Sequence, residues 1–309
     1  MLDLSIIIVS WNVADLLSAC LDSVLKNISR DSHIEIIVVD SGSTDHTVPM
    51  LRERYPQVQL IQQAENIGFV RGNNIGMKEA QGRCILLLNP DTEIVGSALD
   101  QMVDYLDNHP EVGIVGPQTL NTDGTTQSTR RRFPTLATGI FEATWLQKYA
   151  PRRVLERYYV DDQPDDEIFQ VDWVQGSALM ARREVYNQIG GLDEGFFMYS
   201  EELDWCRRAK IAGWQVIYLG TARIIHHGGK SSEQLVAQRD IYFHQSKLRY
   251  FRKYHGALTA HSLRLLIILL YIWQIGLETG KALLGHKRAM RQDRVRQYLQ
   301  VLRSGLKVS

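Results

Sequence analysis

Cysteine is scarce in this sequence and net charge is absent from it. Three cysteines, Cys20, Cys84 and Cys206, stand far apart in 309 residues, with no CxxC pair. That excludes a disulfide-stapled scaffold and a zinc ribbon, and it suits a reducing compartment. No internal repeat and no low-complexity tract is present. Long apolar runs are missing too. Leu265 to Leu277 runs 13 residues without a charge, short of the roughly 20 that a spanning helix needs. Ahead of the apolar Leu4–Val9 there is no basic segment and no small-residue cleavage site, which reads against a secretory signal.

What is present is ordinary for a globular chain: 44 % apolar and 23 % charged residues. Disorder, collagen and coiled coil are thereby excluded for the chain as a whole. The length allows two domains or one large α/β domain. The zero net charge conceals an asymmetry. Residues 247–309 hold 13 Lys/Arg against 2 Asp/Glu, and residues 1–246 hold 22 against 33. An acidic body with a basic tail points the tail at something anionic, a membrane surface or nucleic acid.

Leu4–Ser10 and Ile34–Val39 are continuous apolar runs that read as buried strands, with Val58–Ile61 and Cys84–Leu88 as two more. Between the first two, Leu16, Leu17, Cys20, Leu21, Val24, Leu25 and Ile28 recur at helical spacing. Ser97 opens another helix, with Asp100 as capping partner. From about 112 to 170 the pattern loosens. It returns at Val171–Arg182, in a helix near Ser200 with Leu203, Cys206 and Ala209 as inner stripe, and in a strand at Val216–Leu219. Alternating strands and helices predict a mostly parallel sheet covered on both faces, which binds ligands beyond the carboxyl ends of its strands. Ser10-Trp11-Asn12, Asp40-Ser41-Gly42 and Asn89-Pro90-Asp91 each follow a strand, so all three converge on one rim.

Asp40 at a strand end can accept hydrogen bonds from a base or ribose; taken singly, Asp-Ser-Gly is equally a turn. Glu65-Asn66-Ile67-Gly68-Phe69 and Gly72-Asn73-Asn74 offer close backbone approach and amide donors, with Arg71 available to a phosphate; alone, they read as a loop plus a helix cap. Asp91 suits a divalent cation facing a diphosphate, or simply a strand-ending turn. Glu201, Glu202 and Asp204 crowd a helix start, where acids also serve as ordinary first-turn residues. His226-His227-Gly228-Gly229 offers an imidazole ligand or a solvent-facing pair. Arg130-Arg131-Arg132 offers an anion site or a solvated charge run.

In order and spacing these elements resemble the inverting glycosyltransferases of family 2, with the GT-A fold, and within them the rhamnosyltransferase-like branch. The resemblance adds Trp173-Val174-Gln175-Gly176-Ser177, Gly190-Gly191-Leu192-Asp193-Glu194, Phe196-Phe197-Met198-Tyr199 and His226-His227-Gly228-Gly229-Lys230-Ser231, and it covers roughly residues 4–232. It implies a Rossmann-like central sheet in a catalytic domain over 1–255, and a helical basic segment over 256–309. It implies that Ser10, Asn12, Asp40, Gly42, Asn66, Gly68, Arg71, Asn73, Asn89, Asp91, Trp173 and Gly176 bind a nucleotide sugar. Asn89-Pro90-Asp91 stands where the family has its DxD element, with Asn in place of the first acid. Asp91 and His226 would hold Mg²⁺ or Mn²⁺. Glu202 stands where the family usually has the aspartate base, one methylene longer; Glu201 and Asp204 are the other candidates.

The implied reaction moves rhamnose or a similar hexose from a UDP- or dTDP-sugar to a glycan or polyprenyl-diphosphate-linked acceptor, in the cytoplasm at the inner face of the membrane. The basic, partly apolar tail would hold the enzyme there. The other readings of Leu265–Leu277 are packing on the catalytic domain or on a second subunit in a homodimer. Two rival functions stand beside this one. A nucleotidyltransferase would carry a Gly-rich start with a basic residue, which Ser10-Trp11-Asn12 is not. A non-catalytic nucleotide-sugar-binding scaffold would be consistent with Asn89 and Glu202. No aromatic platform or motif for nucleic acid accompanies the basic tail.

Overall fold

The computed structural model describes residues 2–29, 33–142, 145–228, 236–285 and 287–307. Two compact units emerge, one of Met1–Phe133, Glu156–Glu194 and Glu201–Ser231, the other of Pro134–Leu155, Gly195–Ser200 and Ser232–Ser309.

The first unit begins β1 (Leu4–Ser10), α1 (Ala14–Asn27), β2 (Ile34–Asp40), α2 (Thr47–Arg54), β3 (Gln59–Gln62), α3 (Gly68–Glu79), β4 (Cys84–Leu88), β5 (Thr92–Val95), α4 (Ala98–Asn108) and β6 (Val112–Leu120). Short strands β7 (Thr126–Gln127) and β8 (Arg130–Arg131) follow. Then, after α5 (Leu136–Glu142) of the other unit, come α6 (Arg152–Tyr159), β9 (Ile168–Val171), β10 (Trp173–Val174), β11 (Ala178–Arg182), α7 (Arg183–Ile189), α8 (Glu201–Ile211) and β12 (Gln215–His226). The main sheet runs β3-β2-β1-β4-β11-β6-β12-β5. β1 is parallel to β2 and β4, β2 to β3, and β6 to β12; β11 is inserted antiparallel between β4 and β6, and β5 is antiparallel to β12. This is the mostly parallel α/β sheet expected.

Successive residues of a strand point to opposite faces, and β1 shows how each face is covered. Ile6 and Ile8 join Leu17 and Leu21 of α1 and Leu99 and Met102 of α4 in one buried cluster. Ile7 and Val9 point the other way, onto α3, where Gly72 and Gly76 let the helix approach: a Cβ on Gly72 would stand 2.7 Å from Val9 Cγ1. The glycines read as a loop are therefore the contact face of a helix. The loosened stretch after residue 112 holds the nine-residue strand β6, buried along all but its last residue. Ser97 makes no side-chain cap to α4. Leu203, Cys206 and Ala209 of α8 are buried as expected.

The second unit holds α5, a 3₁₀ turn (Trp145–Tyr149), α9 (Val236–His255), α10 (Ala257–Leu283) and α11 (Arg288–Arg303). The 13-residue uncharged run is the middle of the 27-residue α10, which is long and apolar enough to cross a membrane by length and composition. Ala260, Leu263, Ile267 and Tyr271 are buried; Tyr271 Oη lies 2.9 Å from His244 Nε2 of α9, and Glu278 accepts from Arg291 of α11 at 2.6 Å. Leu265, Leu269, Ile272 and Trp273 are exposed.

Gly72→Val adds a Cβ and two methyls where β1 leaves no room, so it should lower the unfolding free energy by about 1–3 kcal/mol. Adding Val9→Ala should recover part of the loss. An unchanged urea midpoint for Gly72→Val would contradict the close α3–β1 contact.

Candidate active site

The carboxyl ends of β1, β2, β4 and β12 and the start of β11 lie on one rim of the sheet, and nearly every residue singled out from the sequence lies there. At the end of β1, Asn12 takes the left-handed conformation (φ +52°), and its Oδ1 accepts the Thr44 N–H at 2.8 Å. Its own N–H donates to Ser43 Oγ at 3.0 Å. Asp40, closing β2, is fully buried: Oδ2 accepts the Ser43 N–H at 3.2 Å, whereas Oδ1 has no hydrogen-bond partner in the protein. Ser10 Oγ is likewise buried without one. Buried oxygens of this kind normally find a donor; these two find none in the protein.

Beside them, Gly42 (φ +72°) lies flat against the 65–66 peptide, where a Cβ would stand 2.6 Å from the Glu65 carbonyl carbon. Ser41 Oγ donates to Asn66 Oδ1 at 3.2 Å and accepts the Ile67 N–H at 2.9 Å; Asn66 Oδ1 also accepts from Gly68 N at 3.0 Å. Asn66 thus shapes the entry to α3. Two further expected ligand residues lie on α3. Asn73 is buried and donates to Phe69 O at 3.0 Å, and Arg71 is an exposed side chain 3.6 Å from Glu194.

A second group of expected residues stands between the end of β4 and the start of β5 and at the end of β12. Asn89 N–H donates to Ser177 O at 2.9 Å, tying the end of β4 to the start of β11. His226 pairs with Thr92 across the β12–β5 ladder, and His227 N–H donates to Asp91 O at 2.9 Å. Asp91 Oδ1 lies 3.3 Å from His226 Nε2, and that nitrogen is buried without a hydrogen bond. His227 turns away to Glu93, at 2.6 Å. A carboxylate beside an unengaged imidazole nitrogen is a donor set that suits Mn²⁺ or Mg²⁺, with a diphosphate completing the shell. Among the described residues no cluster of three protein ligands exists. Gly229, Lys230 and Ser231, which close the histidine motif, lie outside the described residues.

The carboxylate group stands at the start of α8, after the left-handed Tyr199 and Ser200 (φ +69° and +64°). Gly176 faces Glu202: a Cβ added there would stand 3.7 Å from Glu202 Cβ and Cγ. Burial pushes both Glu201 and Glu202 above the ordinary carboxylate range, and the Glu202 charge raises Glu201 further. Backbone N–H groups of Glu202, Gly176 and Leu203, and then the Arg131 cation, pull Glu202 back part of the way. One oxygen of each carboxyl, Oε2, is buried without a hydrogen-bond partner. Asp204 differs: fully buried, it accepts from Arg208 Nε at 2.8 Å, and the same guanidinium donates to Ile189 O and Gly191 O at 2.7 and 2.6 Å. It braces the loop behind the helix.

The arginine run is neither solvated nor collected at one anion site. Arg130 is buried, 2.5 Å from Asp165 and over the Phe169 and Tyr218 rings. Arg131 is framed by Tyr159 at 4.4 Å and by Tyr158 and Trp173, each at 5.9 Å. Trp173 donates its indole N–H to Arg132 O at 3.0 Å. Arg131 also acts on Glu202, its cation lowering that carboxyl's pKa. Gln127 was also missed from the sequence: it contacts His226 twice, and nothing in its spacing announces that.

The family model for glycosyl transferase family 2 matches residues 5–206. The N-acetylglucosaminyl-diphospho-decaprenol L-rhamnosyltransferase of Mycobacterium tuberculosis is 27 % identical over 241 residues, 74 % of this chain and 78 % of that protein. The rhamnosyltransferase WbbL of Escherichia coli is 25 % identical over 268 residues, 80 % and 92 % of the two chains. The solved mannosyltransferase PcManGT from Pyrobaculum calidifontis, in complex with GDP-Man and Mn²⁺, has a TM-score of 0.57 at 18 % identity, covering 99 % of this chain and 86 % of that one. GalNAc-T7 with UDP, GalNAc and Mn²⁺ has a TM-score of 0.60 at 16 % identity, covering 82 % of this chain; the match spans about half, 48 %, of that longer chain. At such identities the two solved structures bear on the fold alone, which they share.

A carboxyl whose folded pKa is raised binds its proton more tightly folded than unfolded, so stability is lost as pH rises above its ordinary value, here 4.5. Glu201→Gln removes the larger of the two shifts. Its stability should match wild type below about pH 4.5 and exceed it by a margin that grows towards pH 8. Urea denaturation across that range checks this; a margin independent of pH would contradict the buried, protonated Glu201.

Proposed function

Since the chain belongs to glycosyltransferase family 2, with the GT-A fold, we propose that it transfers rhamnose or a similar hexose, with inversion, from a UDP- or dTDP-sugar to a polyprenyl-diphosphate-linked glycan in surface polysaccharide synthesis. The observation that carries this is the shared rim: the Asp91–His226 pair, the buried Asp40 and the Gly176–Glu202 contact all stand at one end of the sheet. The relative from Mycobacterium tuberculosis is named for a rhamnosyl transfer onto such a lipid-linked sugar, and it aligns over most of both chains.

In this reading Asp40 Oδ1 and Ser10 Oγ accept and donate to the nucleoside, satisfying oxygens that the protein leaves bare. Asn12, Gly42, Asn66 and Gly68 set the loops that receive it, with Asn89 and Trp173 flanking. Asp91 and His226 hold a divalent cation. When bound, that cation stabilises the negative charge that develops on the leaving diphosphate. Glu202 takes the proton of the acceptor hydroxyl, whose oxygen attacks the anomeric carbon opposite the departing diphosphate. Glutamate reaches one methylene further than aspartate, so the acceptor hydroxyl sits correspondingly further from α8. Burial raises the basicity of Glu202, while Arg131 and three backbone N–H groups keep it ionisable, the balance that a general base near neutral pH needs. Glu201 beside it is pushed towards protonation by burial and by the Glu202 charge, which disfavours a second negative charge in the site.

The exposed apolar residues of α10 and the basic residues of the tail support a location on the cytoplasmic face of the membrane, beside a lipid-linked acceptor.

Glu202→Gln should lower transfer by about 10²–10⁴-fold without lowering the melting temperature. Near-normal turnover would remove Glu202 from the role of base. Separately, Leu265→Glu with Trp273→Glu should cut binding to anionic phospholipid vesicles by at least about tenfold, since each apolar side chain contributes about 1.5–3 kcal/mol on burial. Unchanged vesicle binding would reject the membrane contact; a dimer broken by the same pair would reassign the face to a second subunit.

A further inference from the structure

Gln127 makes two hydrogen bonds to a single residue. Its Nε2 donates to the His226 carbonyl oxygen at 2.7 Å, and its Oε1 lies 2.9 Å from His226 Nδ1. The first contact fixes the second. A carbonyl oxygen only accepts, so the amide end facing it must be the NH₂ group. The end facing the imidazole is then the amide oxygen, which also only accepts. Nδ1 must therefore carry a hydrogen, and in the neutral ring Nε2 then carries the lone pair. That lone pair stands 3.3 Å from Asp91 Oδ1, on the buried nitrogen with no hydrogen bond.

The side chain doing this is itself held. β7 pairs antiparallel with β6, with Gln127 opposite Thr119, and Thr119 in turn faces Ile224 of β12. Gln118 Nε2 donates to Thr126 Oγ1 at 2.9 Å and locks the hairpin. Gln127 thus reaches across one strand to grip the last residue of the next at two points, and its own rotation would cost both bonds.

We propose that Gln127 is a positioning residue that locks His226 in the Nδ1–H tautomer and presents the Nε2 lone pair, with Asp91, to the divalent cation of the donor diphosphate. An imidazole ligand is commonly oriented by an acceptor on its other nitrogen, and loss of such a partner typically weakens metal affinity 10–100-fold. The residue is two positions from no other site residue in the sequence, so only the fold brings it to bear. The cation role of His226 rests on the functional reading above, whereas the tautomer lock rests on the two hydrogen bonds alone.

The test reads both halves separately on the full-length chain. Imidazole ¹⁵N–¹H spectra at pH 8, with His226 assigned by comparison with His226→Ala, should show the Nδ1–H tautomer in the metal-free wild type. Gln127→Met, nearly isosteric and unable to hydrogen-bond, should convert it to the Nε2–H form that a solvated imidazole favours. An Nε2–H ring in the wild type, or an unchanged tautomer in Gln127→Met, would overturn the lock. Titration of Mn²⁺ in the presence of saturating UDP or dTDP should show a 10–100-fold weaker affinity for Gln127→Met, and no further loss when Gln127→Met is added to His226→Ala. Wild-type Mn²⁺ affinity in His226→Ala would overturn the ligand role of His226 while leaving the tautomer lock standing. Wild-type affinity in Gln127→Met alone, with the tautomer converted, would overturn the claim that the lock serves the cation. A circular-dichroism melt of each variant separates these effects from loss of the fold.

Discussion

His226 stands opposite Thr92 in the antiparallel ladder of β12 and β5, and a slip of one residue there would carry the imidazole to the other face of the sheet. That register holds the chemistry together. It brings Nε2 to Asp91, lets the His227 N–H bond the Asp91 carbonyl, and sets the His226 carbonyl where Gln127 reaches it. β12 pairs with β6 along one edge, shifting register between Leu219 and Arg223, and with β5 along the other. A second strand insertion does the same for the other half. β11 runs antiparallel between β4 and β6, so its start, at Gly176 and Ser177, meets the end of β4 at Asn89. Residues 89 and 177 become neighbours, and α8 lays Glu202 on Gly176.

The site carries a cost in stability. Ser10 Oγ, Asp40 Oδ1 and one oxygen on each of Glu201 and Glu202 are buried without a protein donor, and an unsatisfied buried polar atom costs about 1–3 kcal/mol. The offset comes from the sheet, whose central strands β1 and β4 are buried at every residue. Glu201 and Glu202 show how burial sorts adjacent carboxyls. Both are pushed towards protonation by burial, and only Glu202 is met by the Gly176 N–H and the Arg131 cation, which oppose that push.

Much of this was legible in the sequence, where a local pattern and a local cause coincide. β1, β2 and β4 are unbroken apolar runs ending in polar residues, and each ends on the rim as expected. The inner stripe of α8 followed from spacing. The sequence misled wherever tertiary contact gives a residue its purpose. β6 was hidden because Gly113, Gly116 and Pro117 interrupt its pattern; the glycines are required by Trp214 and Val174, which would stand 2.7 and 2.6 Å from an added Cβ. The Gly-Asn segment at 68–74 read as a loop because its glycines face β1. Arg130-Arg131-Arg132 read as a charge run because nothing local shows that Asp165 and five aromatic rings close around its first two members. The apolar run at 265–277 read as too short because the flanking charges, Arg264 and Glu278, are spent on Gly305 and Arg291 within their own unit.

The central claim is that this rim binds a nucleoside diphosphate through a cation held by Asp91. Thermal unfolding of wild type and Asp91→Ala with UDP, dTDP, GDP or CDP, each with and without Mn²⁺, tests it most directly. Wild type should be stabilised by one diphosphate in a Mn²⁺-dependent way, by about 2.7 kcal/mol at a hundredfold excess over its dissociation constant, and Asp91→Ala should lose that response. Stabilisation that needs no Mn²⁺, or that survives in Asp91→Ala, would contradict it.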